Sequence, residues 1–362
     1  MRRLLLGGVL LLAVLLPAAS RAGGCSPLSC STSQFAIGDG SLLGVRGGVD
    51  KPVRVIDLRT GKTRWRLPPG IVVGNTLVHQ DGSLVTWYDV GRGLRVRDAM
   101  LQVHGTFVLV GASQNGRAAI LARTQHASTT FAIVTPGGER AVNLAGNHWE
   151  FDALSGDRLF AIHHLSKGYE IRVVHVGSGV VDAPLKDPRA SSTIWGSPWS
   201  RVSSGDGRFL YTLYIGSNGA SMVHILDTQR GTARCVDLPG TGNAEAAMTY
   251  SLVVDPDGRH LWAVSAGYGR IAKIDVPARK VVDAYRFQID AWNTATGAAV
   301  MSPDGERIAF TDSNHIWFVV LAQRKVVVGP THVTIALAYS PDQTHLWVLG
   351  ERSRVSALQP GS

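Results

Sequence analysis

Twelve histidines, three cysteines and nine tryptophans are the side chains most able to do chemistry in this chain. Their spacing excludes most of it. His163 and His164 are adjacent, and adjacent side chains on a strand point to opposite faces, so the pair cannot chelate one ion. Cys25, Cys30 and Cys235 form no CxxC and show no zinc-type spacing. No GxSxG elbow, HExxH, phosphate-binding loop, GxGxxG turn or calcium loop is present. No catalytic residue, metal site or cofactor is expected. The triplets His260-Leu261-Trp262 and His345-Leu346-Trp347 recur. Both stand at one place after a turn, which suits an indole packed between repeated units better than a ligand pair. One aromatic and polar set remains: Trp149, Trp195, Trp199, Tyr268, Asp290, Trp292 and Asn293. Indoles beside carboxylates and amides suit carbohydrate or peptide recognition; the competing reading is that they cap and pack the fold.

These residues must be positioned by a repeating element. A short apolar strand, a turn and a second apolar strand recur, most clearly at Met301–Phe310, Val254–Ala263 and Tyr339–Val348. Weaker copies turn at Asp39-Gly40, Asp81-Gly82, Asn115-Gly116, Gly156-Asp157 and Asp206-Gly207. Pro presets φ for the first corner of such a turn, and Gly accepts the positive φ that follows. Successive turns are 34 to 51 residues apart, enough for one four-stranded unit each. Between them lies a strand–turn–strand motif, at Val53–Trp65, Val223–Gly231, Ile271–Val282 and Ile316–Val327. It supplies a third and fourth strand. No helical period follows residue 22. The expected fold is therefore all-β, a seven- or eight-bladed β-propeller in one domain.

The Ser-Pro-Asp-Gly turns resemble those of bacterial WD-repeat-like propellers of the TolB type. Ile274–Val282 is similar to YVTN-type repeats, and Asp57–Trp65 resembles a blade of a quinoprotein-like propeller. In such families the termini share one blade; a strand near Phe35 would then complete the last one. The resemblance implies architecture, because these folds host unrelated functions. In a propeller, inter-blade connections and the loops between second and third strands emerge on one rim. The aromatic set falls in these segments and is the expected ligand-binding rim.

The N-terminus reads as a targeting segment. Met1-Arg2-Arg3 precedes an apolar run from Leu4 to Leu16, then Pro17 and small residues. Residues 1–22 are read as a signal peptide, 23–34 as a short segment, and 35–362 as the propeller. Ala22-Gly23-Gly24-Cys25 resembles a lipobox, which would extend the signal to residue 24 and lipidate Cys25. In that case Cys30 could pair with Cys235. Alternatively Cys25 and Cys30 close a small disulfide loop, leaving Cys235 as a buried thiol. The formal charge of +9 falls to +6 when residues 1–22, with Arg2, Arg3 and Arg21, are removed. The remaining charges are scattered, which argues against a nucleic-acid partner. The expected function is an exported, noncatalytic binding scaffold at a bacterial cell envelope, secreted or lipid-anchored. Its partner would be a protein, peptide or carbohydrate at the cell surface, with membrane contact only through a signal or lipid anchor. The alternative is a propeller enzyme, either a quinoprotein-like oxidoreductase or a lactonase-type hydrolase.

Overall fold

The structure, a computed structural model, describes residues 33–37, 41–46, 51–166, 168–187, 194–288, 298–311, 315–331, 336–349 and 355–358. These fold into eight antiparallel sheets over residues 33–67, 71–100, 108–145, 149–175, 197–237, 250–286, 299–331 and 336–358. In each sheet the strand order follows the chain order. Six sheets have four strands; the fourth and eighth have three. First strands of neighbouring sheets touch at six of the eight seams, including that of the eighth (Ala336–Tyr339) with that of the first (Ser33–Ile37). The result is a closed β-propeller with first strands innermost.

The core is divided as the ring demands. A sheet has two faces, and each must be buried against a neighbour. Eight apolar clusters fill the eight seams between sheets. The alternation of apolar side chains along each strand places residues in two seams at once. Leu210 and Tyr214 pack toward the fourth sheet, whereas Tyr211 and Leu213 pack toward the sixth.

Five sheets join their first and second strands by one turn: Ser113–Ala118, Ser204–Phe209, Asp255–His260, Ser302–Arg307 and Ser340–His345. In each, the fourth residue donates its N–H to the first carbonyl at 2.8–2.9 Å. The fourth residue has positive φ: Gly116, Gly207, Gly258 and Gly305, and Gln343 in the last. The third residue's carboxylate or amide oxygen accepts the fifth residue's N–H. In four of the turns the leading serine hydroxyl donates to that same oxygen and accepts the sixth residue's N–H. The backbone groups that the turn removes from the ladder are thus satisfied locally.

Several expectations need correction. Asp81-Gly82 joins the second and third strands of its sheet (Thr76–Asp81 and Leu84–Asp89). The first-to-second turn there is at Gly74-Asn75, which carries no Asp-Gly signal. Ser33–Ile37 is the first strand of the first sheet and does not complete the eighth. Closure comes instead from seam packing of Leu43, Val45 and Ile56 against Ala336, Ala338 and Trp347. The Trp347 indole donates to the Leu58 carbonyl across that seam. Among the described residues the fourth sheet has no regular outer strand. Residues after His175 cover its edge with isolated bridges at Val181 and Ile194. A five-residue helix, Ala244–Met248, capped by Asn243, lies between the fifth and sixth sheets; it is too short to give a helical period. Cys25, Cys30 and the N-terminal segment lie outside the described residues. No described helix is long and apolar enough to cross a membrane.

Candidate functional site

Strand direction alternates within each sheet, so the two rims carry different connections. The first-to-second and third-to-fourth turns form one, here called the turn rim. The inter-sheet segments and second-to-third loops form the other.

On the turn rim, a cleft of about 450 Å³ opens between the third and fourth sheets. This is a size suited to a small ligand or a few residues of a chain. Ser113–Ala118, Thr135–Gly138 and Gly156-Asp157 frame it, and Ile133, Leu154 and Val176 supply apolar floor. Its charges are mostly neutralised by neighbours. Glu139 accepts the backbone N–H groups of Gln102 and Val103, at 2.7 and 3.2 Å. Asp157 accepts from Gly177 N at 2.9 Å and lies 3.6 Å from Arg140. The Arg117 side chain is exposed at the wall and has no ion-pair partner among the described residues. The two hydroxyls of the wall are turned inward to the backbone or their own turns. Ser113 bonds Asn115, and Thr135 donates to Gly138 O at 3.0 Å. The cleft therefore offers charge, amides and apolar surface, but no nucleophile beside a base.

Of the aromatic set, Trp149, Trp195, Trp199 and Tyr268 lie on the opposite rim. The side chains differ in what they do. Trp199 donates its indole N–H to Met248 O at 2.9 Å and packs on the core between the fifth and sixth sheets. The Tyr268 hydroxyl donates to Gly219 O and Asn243 O, at 2.9 and 2.7 Å, and tethers the helix entrance. Trp149 donates to Ala145 O and stacks on His163 with ring centroids 4.3 Å apart. Trp195 is 41% exposed and, among the described indoles of this group, is the one that faces solvent. Asp290, Trp292 and Asn293 lie outside the described residues.

Sequence reasoning missed a third feature. In the fifth sheet Arg201, Thr212, His224 and Cys235 are cross-strand neighbours in one register. Directly opposed residues share a face, so the four form a polar row through the apolar seam against the fourth sheet. At the inner end Arg201 pairs with the buried Asp152 carboxylate of the fourth sheet and donates to Thr212 Oγ1 at 2.9 Å. At the outer end Cys235 Sγ lies 3.7 Å from His224 Nδ1. His224 is 3% exposed, and its Nε2 has no hydrogen-bond partner among the described residues. Burial holds this imidazole down to about 4 and pushes the Cys235 thiol up to about 12. A small cavity, about 10 Å³, is lined by His224, Cys235, Arg234, Asp187, Leu185 and Ile194. It lies where the fourth sheet lacks its regular outer strand. The sequence signal was weak: Thr212 is the one non-aromatic polar residue of Phe209–Ile215, but the strands carrying Arg201, His224 and Cys235 hold other polar residues as well.

Asp255 stands where the other turns have serine. Its carboxyl lies near Asp257 and accepts from the His260 N–H at 2.9 Å. Burial and Asp257 raise its proton affinity, its second oxygen lies 2.8 Å from His260 Nδ1, and Asp257 is held below the usual range.

No protein-family model matches the chain. No curated protein matches its sequence either. Solved structures match the fold. The β-propeller domain of Myceliophteria thermophila Cps50 (Swd1) is 15% identical with a TM-score of 0.50, covering 91% of this chain and 97% of that one. AztD of Citrobacter koseri is 14% identical with a TM-score of 0.51, covering 82% and 85%. Dihydro-heme d1 dehydrogenase NirN, solved in complex with DHE, is 12% identical with a TM-score of 0.51, covering 83% and 66%. The likeness is one of fold, and that fold is a β-propeller.

Proposed function

We propose that this chain is an exported, noncatalytic propeller that binds a ligand or partner at the cell envelope, seated in the cleft between the third and fourth sheets. The cleft carries the reading. It has the volume of a binding site, an apolar floor and the Arg117 guanidinium, which has no ion-pair partner among the described residues, while its hydroxyls are committed to their own surroundings. Neither histidine nor cysteine lines it among the described residues. Export rests on the order of charged, apolar and small residues at the N-terminus.

The test is a binding titration of the purified mature chain against envelope-derived peptides and oligosaccharides, with one variant on each rim. Arg117→Glu should weaken binding at least about tenfold, close to 1.4 kcal/mol. Trp195→Ala should leave it unchanged. The reverse pattern places the ligand on the aromatic rim. Turnover of any probe overturns the noncatalytic reading. Intact-mass analysis of the exported protein should show a start between Arg21 and Cys25, with added acyl mass on Cys25 if the lipid-anchored form is correct.

A further inference from the structure

We infer that the cleft between the third and fourth sheets takes an acidic peptide segment, with an aspartate or glutamate side chain seated on the Arg117 guanidinium. The inference rests on the cleft being the binding site proposed above and names the chemistry of what it holds.

The repeated sheets supply their own comparison for this position. The third strand ends in an aspartate in four sheets, at Asp57, Asp89, Asp227 and Asp275. An arginine faces each one: Arg64 at 3.6 Å, Arg92 at 3.7 Å, Arg208 at 2.6 Å and Arg259 at 3.7 Å. Arg208 and Arg259 are the fifth residues of their first hairpin turns, and Arg117 is the fifth residue of the same turn in the third sheet. The registers agree as well. The pairs Leu210 with Leu226 and Leu261 with Ile274 come one step before the aspartate, and Ala119 with Val134 comes one step before Thr135. The third strand of the third sheet, Ser128–Thr135, thus ends in threonine where the others end in aspartate. The arginine of the repeated pair is kept and its carboxylate is absent.

The cleft opens at that place, with both Arg117 and Thr135 in its lining. The two carboxylates of the lining are engaged elsewhere. Glu139 accepts two backbone N–H groups, and Asp157 accepts one and faces Arg140. A guanidinium offers a fork of N–H donors that matches the two oxygens of a carboxylate, and such charge-assisted pairs are the strong ones. Arg208 shows the geometry, donating to the two oxygens of Asp227 at 3.1 and 2.6 Å. An incoming carboxylate takes the same place for Arg117. The rest of the lining favours a peptide. The floor of Ile133, Leu154 and Val176 is aliphatic, and no aromatic ring lines the cleft among the described residues, so a sugar face finds nothing to stack on. A volume of about 450 Å³ holds a few residues of a chain.

The experiment compares two probes by calorimetric titration of the mature chain: acetyl-Ala-Leu-Glu-Leu-Ala-amide and the same peptide with Gln for Glu. The Glu peptide should bind at least about tenfold more tightly, and Arg117→Gln should erase that preference. A second variant returns the carboxylate to the protein. Thr135→Asp should pair with Arg117 and weaken the Glu peptide at least about tenfold relative to Thr135→Asn, which also lacks the hydroxyl but carries no charge. Circular dichroism matching the parent shows that the variants are folded. If both peptides bind equally and Thr135→Trp, which fills the cleft, still blocks them, the seat stands and the acidic assignment falls. Binding that none of these variants alters places the ligand outside the cleft, and both readings fall. Glucuronate bound more tightly than the Glu peptide overturns the peptide assignment. Binding of neither peptide at about 1 mM overturns the inference outright.

Discussion

His224 is a group whose protonation the fold opposes. Its ordinary value is 6.5, and burial holds it at about 4 in the folded protein. The unfolded chain therefore takes up a proton first as pH falls. Stability is full above about pH 6.5 and declines toward pH 4. The shift corresponds to about 3 kcal/mol at the acid end. His224→Gln should remove this decline, read as unfolding midpoint against pH between 7 and 4. Trp199 and Tyr268 belong to the same scale. Both hydrogen-bond to backbone carbonyls and pack on the core, so Trp199→Ala should destabilise by about 3 kcal/mol. Trp195→Ala should stay within about 1 kcal/mol. Residue types alone could not separate these three aromatics, since all stand in similar loop sequences. What distinguishes them is whether a backbone carbonyl from a neighbouring segment lies within reach, as that of the helix residue Met248 does for Trp199.

Among elements, the repeated turn was the most legible and explains its own exceptions. A Ser-x-Asp/Asn-Gly/Gln turn fixes the first hairpin of four sheets by three local side-chain hydrogen bonds, and a chain reader sees all the donors and acceptors within six residues. Asp206, Asp304 and Asp342 each accept a serine hydroxyl in these turns, and all three are held below the usual carboxylate range, Asp342 to about 2. A carboxyl held below its unfolded value contributes stability above that value and loses it as pH falls through the folded one. The turns should thus weaken below about pH 4. Asn115 fills the same position without a titratable group. Replacing all three aspartates by Asn should flatten the stability profile between pH 4 and 2 while leaving neutral stability nearly unchanged. Gln343 holds positive φ where the other turns have glycine. Gln343→Gly should stabilise by about 0.5–1 kcal/mol, less the loss of its bond to Arg307. The second sheet was misread because its first strand is only three residues long (Ile71–Val73) and turns at Gly74-Asn75. The conspicuous Asp-Gly pair therefore drew attention to the wrong hairpin.

For the whole molecule, periodicity gave the propeller but not the joints between its sheets. A residue spacing reports what pairs within a sheet. It carries little about which faces meet, so neither the cleft between the third and fourth sheets nor the polar row beyond it could be read. The seam that closes the ring is the clearest case. Trp347 bonds across it to Leu58, 289 residues away. The ring of Trp347 also fills the space beside Gly61. Trp347→Ala should cost about 3 kcal/mol. Because this seam is the joint of longest sequence separation, the loss should appear mainly as faster unfolding, measured in denaturant jumps.

The manner of closure has a consequence for how the chain can be re-cut. Among the described strands, none crosses from one end of the chain to finish a sheet begun at the other. Every hairpin pairs with its neighbour in sequence, and the eight sheets meet only face to face. The order in which they are strung is then separable from the order in which they stand around the ring. Circular permutants opened between the second and third sheets, or between the sixth and seventh, with the original ends joined by a flexible linker, keep every sheet whole. They should rebuild the same ring, and crystallography or far-ultraviolet circular dichroism with a matching melting temperature would show it. A cut within a sheet, at the Gly305 turn for instance, divides a hairpin between the two ends and should not be rescued by any linker.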